Sequence, residues 1–180
     1  MLGAMPMDPA SPAQKNWFDW AEAFLANWKA RDAERNGSLS PCADHVLKFA
    51  TQAALSLNHD AVGAEHLLAG VLKCHSGRAH AVLEQAGLTL PALREEIVSA
   101  RGIGAQSEIG RRIPYTPRCK GIIQRARAKV RGLGGARVEV EDLFLELLAE
   151  KGGLPAQIFR RRAIDVEAIK SLLVKTPTAQ

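Results

Sequence analysis

Long apolar runs are missing from this chain. No stretch approaches the roughly 20 consecutive apolar residues that a membrane-spanning helix needs. The first twelve residues hold no Lys or Arg, so the basic leader of a secretory or organellar signal is missing too. The chain is expected in the cytoplasm, with residues 1–11 as a disordered N-terminus. Cysteine is scarce: Cys42, Cys74 and Cys119 are odd in number and widely spaced, which suits neither a disulfide framework nor paired zinc ligands. Cys74 and His75 are adjacent but lack the two further ligands of a tetrahedral site, so no metal is expected. No G-x-x-x-x-G-K-[ST] occurs, which excludes a P-loop and leaves no nucleotide cofactor. The five histidines, His45, His59, His66, His75 and His80, have no nucleophile or ligand set around them, and Cys42 has no Cys-His-Asn context. Nothing in the sequence points to an enzyme.

Aromatics make up only 5% of the residues, whereas hydrophobic residues make up 47%. The excess is Ala and Leu, which lose little on entering a helix. Ser40-Pro41 and Thr116-Pro117 head two segments that match without gaps at an offset of 76 positions (117 − 41). Val46 meets Ile122, Ala50 meets Ala126, Val62 meets Val138 and Glu65 meets Glu141. Further along, Leu67 meets Leu143, Gly77 meets Gly153, Leu83 meets Phe159 and Ile97 meets Leu173. Register held across several loops marks a duplication.

Each copy reads as four helices. Ser40 and Thr116 are N-caps with Pro at the first helical position. The first helices run to about Leu57 and Leu133, the second begin near Gly63 and Glu139, and short third helices follow Gly77 and Gly153. The fourth start at the N-caps Thr89 and Asp165. The chain is therefore expected to be all-α, a pseudo-twofold duplication of a four-helix repeat. Repeat one covers 39–100 and repeat two 115–175, with a Gly-containing, exposed and mobile linker at 101–114; residues 39–175 form one domain.

Ahead of the repeats, Trp17, Trp20, Ala21, Phe24, Leu25 and Trp28 recur at helical spacing. They predict an extra amphipathic helix within 12–38. Two readings of its stripe stand: it packs on the repeats and caps their core, or Trp17, Trp20, Phe24 and Trp28 dock a partner or form a dimer seam. Charge is uneven as well. Residues 115–180 carry 13 of the 24 Lys and Arg, which raises nucleic-acid binding as an alternative. Against it, the basic residues spread around the helix and no aromatics interleave with them. A solvated helical face accounts for the same charges.

At Ser40-Pro41, Val62-Gly63-Ala64-Glu65-His66-Leu67-Leu68, Thr116-Pro117-Arg118 and Val138-Glu139-Val140-Glu141-Asp142-Leu143, the sequence resembles the amino-terminal repeat domain of Clp-type unfoldases, the ClpC and ClpA group above all. The resemblance covers about residues 39–175. It implies a protein-binding domain that receives adaptors and substrates. Without the ATPase modules of the unfoldases, it implies a stand-alone adaptor, accessory subunit or decoy. The partner is then a Clp unfoldase, a protease core, or a substrate or adaptor segment.

In the ClpC branch each repeat holds a phosphorylated arginine, using a hydroxyl residue at the first helix N-terminus and a Glu at the second helix start. The resemblance carries these roles onto Ser40 with Glu65 and onto Thr116 with Glu141, each pair 25 residues apart. A helix N-terminus suits a phosphoryl group, and a carboxylate accepts the forked donors of a guanidinium. The same residues also serve as ordinary caps and first-turn acids. The family's Gly-Thr-Glu-His is Gly63-Ala64-Glu65-His66 in repeat one, which lacks the hydroxyl. In repeat two it is Glu139-Val140-Glu141-Asp142, which adds negative charge beside the expected phosphate.

Overall fold

A computed structural model describes residues 38–75, 77–105 and 112–174. The stretch holding Trp17, Trp20, Phe24 and Trp28 lies outside the described residues. Eight helices follow in the described chain: α1 (Pro41–Ser56), α2 (Ala64–Lys73), α3 (Arg78–Gln85), α4 (Leu90–Arg101), α5 (Pro117–Gly132), α6 (Val140–Ala149), α7 (Leu154–Arg161) and α8 (Val166–Val174). No helix among the described residues is long and apolar enough to cross a membrane.

The start signals act as chemistry requires. Ser40 Oγ accepts the Ala43 N–H and Thr116 Oγ1 the Cys119 N–H, each at 3.2 Å, with both cap residues extended and Pro following. These bonds satisfy amides that the first turn leaves without partners. Gly77 and Gly153 enter the third helices at φ 96° and 92°, a region that strongly favours glycine.

The pseudo-twofold relation extends to how the helices pack. α2 lies against α7 as α6 lies against α3; α4 meets α7 as α8 meets α3; α2 reaches α5 as α6 reaches α1. The second helices of the two repeats, α2 and α6, thus form the centre. Val46 and Ile122, Ala50 and Ala126, Leu67 and Leu143, and Val62 and Val138 are all fully buried. Matched apolar positions therefore build one shared core, and neither repeat could close its apolar face alone.

The chain is all-α, as the sequence predicts, and two features add to that reading. First, a small sheet accompanies the helices. β1 (Ser38–Leu39) pairs in parallel with β2 (Arg137–Val138), and Val62 bridges Tyr115 in the same sense. The segment entering each first helix thereby pairs with the segment entering the other repeat's second helix. Second, the described ends of the linker are tied down. Gly104 N–H donates to Leu57 O at 2.9 Å, and Val62 N–H donates to Pro114 O at 2.8 Å. A Cβ on Gly104 would lie 1.9 Å from Asn58 O, so only glycine fits against that turn.

Candidate functional site

The crossed strand pairing decides which candidate residues meet. Cys74 Sγ lies 3.8 Å from Cys42 O, so the start of α1 sits at the C-terminal end of α2. Ser40 is therefore about 13 Å from Glu65 along α2, at 1.5 Å per residue. Repeat two repeats this geometry, with Arg118 on α5 pairing with Glu150 at the end of α6, at 3.4 Å. The structure therefore does not bring Ser40 to Glu65, or Thr116 to Glu141, within a repeat. An antiparallel helix pair puts these residues at opposite ends.

The residues meet across the repeats instead. Thr116 N–H donates to Val62 O at 3.0 Å, and Ser40 N–H donates to Val138 O at 2.9 Å. Thr116 and Glu65 line one cleft of about 540 Å³, together with Gly63, Arg101, Arg118 and Leu154. Ser40 is brought beside the strand that leads to Glu141. Burial, with the negative charge of Glu65 across the repeats, pushes the Cys119 thiol up to about 12. Such a thiol stays protonated and is no nucleophile.

Glu65 is the central group of the first cleft. Its side chain is 3% exposed. The carboxylate folds back over Gly63, where a Cβ would lie 2.4 Å from Oε1. Arg101 Nε stands 3.1 Å away as an ion pair, but off the line a hydrogen bond requires, so Oε1 is buried without a hydrogen-bond donor. His66, 3.9 Å away, does not supply one either. Its Nδ1 accepts the Gly63 N–H at 2.9 Å, and its Nε2 faces His59 Nδ1 at 2.9 Å. His59 Nε2 in turn lies 3.1 Å from Gly102 O. One tautomer arrangement satisfies the whole chain: His66 Nε2–H donates to His59, and His59 Nε2–H donates to Gly102. Burial, then the nearby His59 and Arg101, lower the His66 pKa to about 3, so the ring is neutral.

The matched carboxylate of repeat two is arranged differently. Glu141 Oε1 accepts the Arg78 N–H at the start of α3, at 2.9 Å, against Gly77. Asp142 stands where repeat one has His66 and does the same work, accepting the Glu139 N–H at 2.8 Å. Burial raises its pKa above the ordinary carboxylate value.

The sequence reading missed Arg101, which belongs to the stretch read as linker. An isolated Arg before a glycine looks like any helix C-terminus. Much of the basic excess of repeat two is engaged in ion pairs. Arg125 pairs with Glu146 and Glu150, Lys129 with Glu146, and Arg161 and Arg162 with Glu96 of repeat one. Among the described residues, no three His, Cys, Asp or Glu side chains converge as metal ligands would.

Known proteins match this architecture. The subunit ClpC of an ATP-dependent Clp protease from Staphylococcus aureus (strain USA300) is 34% identical over 139 residues, 77% of this chain but 17% of that ATP-binding subunit. The chain therefore spans less than a fifth of the length of the curated relative it matches. The N-terminal domain of the caseinolytic protease associated chaperone ClpD from Arabidopsis thaliana superposes with a TM-score of 0.63 at 17% identity, covering 76% of this chain and 92% of that one. A ClpV N-domain in complex with a VipB peptide superposes at 0.55 and 20% identity, covering 76% and 85%. The model of the Clp repeat (R) N-terminal domain matches residues 38–162, and with the duplicated helices, crossed strands and shared core this chain belongs to that family.

Proposed function

We propose that this chain is a non-enzymatic, cytoplasmic recognition module of a Clp-type chaperone–protease system. It acts as an adaptor or accessory that takes a segment of a Clp unfoldase, protease core or substrate, and its preferred ligand group is a phosphorylated arginine. The observation that carries this reading is the buried Glu65 carboxylate facing the α5 N-terminus across one open cleft. The ends of α5 and Glu65 present opposite polarities. Amides at a helix start favour a phosphoryl group, and the Thr116 hydroxyl, which already accepts from Cys119, keeps its own proton to donate. Arg118 lines the same cleft and adds positive charge beside the phosphate position. A buried carboxylate favours a planar, forked cation over a point charge. One ligand bearing both groups is read at both ends.

The ClpV N-domain was solved with a peptide bound, which supports a protein segment as the natural occupant. The ion pairs that engage the repeat-two basic residues favour this reading over nucleic acid, which needs basic side chains free for phosphates. Calorimetric titration with phosphoarginine tests the proposal, beside Glu65→Gln and Glu141→Gln. Binding that each substitution weakens, and the pair abolishes, is the expected result. No heat with the unsubstituted chain returns Ser40, Thr116, Glu65 and Glu141 to helix capping, and turns attention to Trp17–Trp28 as the partner surface. Salt-sensitive retention on DNA or RNA is the result that favours the nucleic-acid alternative.

A further inference from the structure

The Glu65 cleft contains a guanidinium of its own. Arg101 closes α4 and sets its Nε 3.1 Å from Glu65 Oε1. Both Arg101 and Glu65 line the cleft that faces Thr116. The Arg101 backbone is fixed on its far side: Gly102 O receives the His59 bond, and Gly104 is held against Leu57 and Asn58. The side chain is not fixed in that way. It is 49% exposed, whereas its partner is 3% exposed, and their contact is an ion pair without an aligned hydrogen bond. An exposed side chain of this kind changes rotamer on the picosecond-to-nanosecond scale, so it leaves the carboxylate without any rearrangement of the fold.

Resting on the guanidinium-and-phosphate reading of this cleft, we propose that Arg101 is a built-in competitor for the Glu65 subsite. It neutralises the buried carboxylate and gives way when the guanidinium of a phosphorylated arginine enters. Glu65 is accommodated either by Arg101 or by the ligand, so the cleft binds with its intrinsic affinity reduced by the fraction of molecules in which Arg101 has withdrawn. The burial of Glu65 is what makes this device necessary. An isolated carboxylate out of water is costly, and Arg101 covers that cost while remaining exchangeable. The matched carboxylate of repeat two, Glu141, accepts the backbone N–H of Arg78 instead.

The test is calorimetric titration with phosphoarginine at neutral pH in a Glu141→Gln background, which removes the matched carboxylate of repeat two, with and without Arg101→Ala. A pair with one half-exposed partner contributes about 1 kcal/mol, which corresponds to a tightening of about five-fold on removal of Arg101. Arg101→Lys, which keeps the charge but loses the planar fork, falls between the two. Equal affinity with and without Arg101 overturns the competitor while leaving the phosphoarginine reading intact, and weaker affinity makes Arg101 a ligand contact instead. Silence from both proteins overturns the reading and the competitor with it. Carbon-detected NMR of the Glu65 carboxyl supplies a ligand-free check. Arg101→Ala moves its carboxyl resonance at neutral pH if the pair forms in solution, and an unchanged resonance overturns the proposal whatever the calorimetry shows.

Discussion

Repeat one brings its first two helices together backbone to backbone, while repeat two holds the same two helices together with charge. The divide falls at one matched position. At Gly70 a Cβ would lie 2.3 Å from Val46 O, so α1 and α2 cross too closely for any side chain. Repeat two has Glu146 there, reaching Arg125 at 3.3 Å and Lys129 at 3.7 Å on α5. The matching positions in repeat one are Phe49 and Ala53, which with Leu57, Ala69 and Leu90 form an apolar groove of about 270 Å³. Leu57 is 2% exposed, whereas its match Leu133 is 79% exposed. Duplication has kept the residues that face the shared core, because losing any of them opens a cavity. The outer faces of the helix pairs carry no such demand and have diverged, one apolar and closely packed, the other ion-paired.

The largest expected effect breaks the close-packed side of this comparison. Gly70→Ala gains about 1 kcal/mol of helix propensity but forces a methyl against the Val46 carbonyl. Overpacking costs about 1 to 3 kcal/mol, and contact with rigid backbone places this site at the upper end, so a net loss of about 2 kcal/mol is expected from urea unfolding. Gly132→Ala, at a helical glycine with nothing within 4 Å, is the control and is expected to stabilise slightly. A Gly70→Ala variant as stable as its parent would show that α1 and α2 separate as freely as their ion-paired counterparts.

The next effect uses the two groups that cap the second helices, His66 and Asp142, whose pKa values move in opposite directions. Folding lowers His66 to about 3, so below about 6.5 the unfolded chain binds a proton that the native ring refuses. Its contribution is whole above pH 6.5 and is lost as pH falls toward 3, at about 1.4 kcal/mol per pH unit. At pH 5 the loss is about 2 kcal/mol. Asp142 is raised, so its contribution has the other sign, present below the ordinary carboxylate range and lost as pH rises through its folded value. Stability profiles from pH 4 to 7.5 are expected to flatten in His66→Gln and to fall more steeply on the acid side in Asp142→Asn. A wild-type profile flat from 7 to 5 would show that His66 accepts a proton in the fold and that its bond from Gly63 is dispensable.

A cap substitution sharpens the comparison of the two carboxylates, Glu65 and Glu141. Ser40→Ala and Thr116→Ala each remove a hydroxyl acceptor from a first turn, and each is expected to cost about 1 kcal/mol. Ser40, at 4% exposed, is expected to cost the more, since the Ala43 amide is left buried. Their ligand effects separate further. In phosphoarginine titrations, Thr116→Ala is expected to be non-additive with Glu65→Gln and additive with Glu141→Gln, and Ser40→Ala the reverse. Coupling of Ser40 to Glu65 would restore the pairing within repeats that the strand crossing excludes.

That pairing shows where the sequence stops being legible. Helix number, caps and core positions follow from side chains, and side chains repeat at an offset of 76. The family resemblance implied hydroxyl and Glu as partners within each repeat, and their equal spacing of 25 residues was consistent with it. That spacing said nothing of direction, and α1 and α2 run antiparallel. The crossing itself is carried by backbone bonds of two-residue strands, Ser38–Leu39 with Arg137–Val138, and backbone bonds leave no side-chain pattern. Arg101 was hidden for another reason: its partner Glu65 was visible as a motif, but an ion pair across 36 positions has no spacing rule. His66 shows a contact of the opposite kind, a local one: a side chain three positions into a helix reaches back to the cap amide.

The smallest expected effect asks what Glu146 does in the space that Gly70 leaves to backbone. Arg125 and Lys129 are 46% and 50% exposed, and exposed pairs contribute about 0.5 kcal/mol each at most. Glu146→Gln is therefore expected to cost under about 1 kcal/mol at low salt. The Debye length shrinks to about 3 Å at 1 M salt, so the cost should nearly vanish there. A difference that persists in 1 M salt would assign Glu146 a packing role, its stem holding α5 and α6 apart, and would make the contrast between the repeats one of volume. A difference that salt removes makes it one of charge, and then Glu146→Leu, which keeps the stem without the carboxylate, should match the parent's stability in salt while exposing the Arg125 and Lys129 charges to solvent.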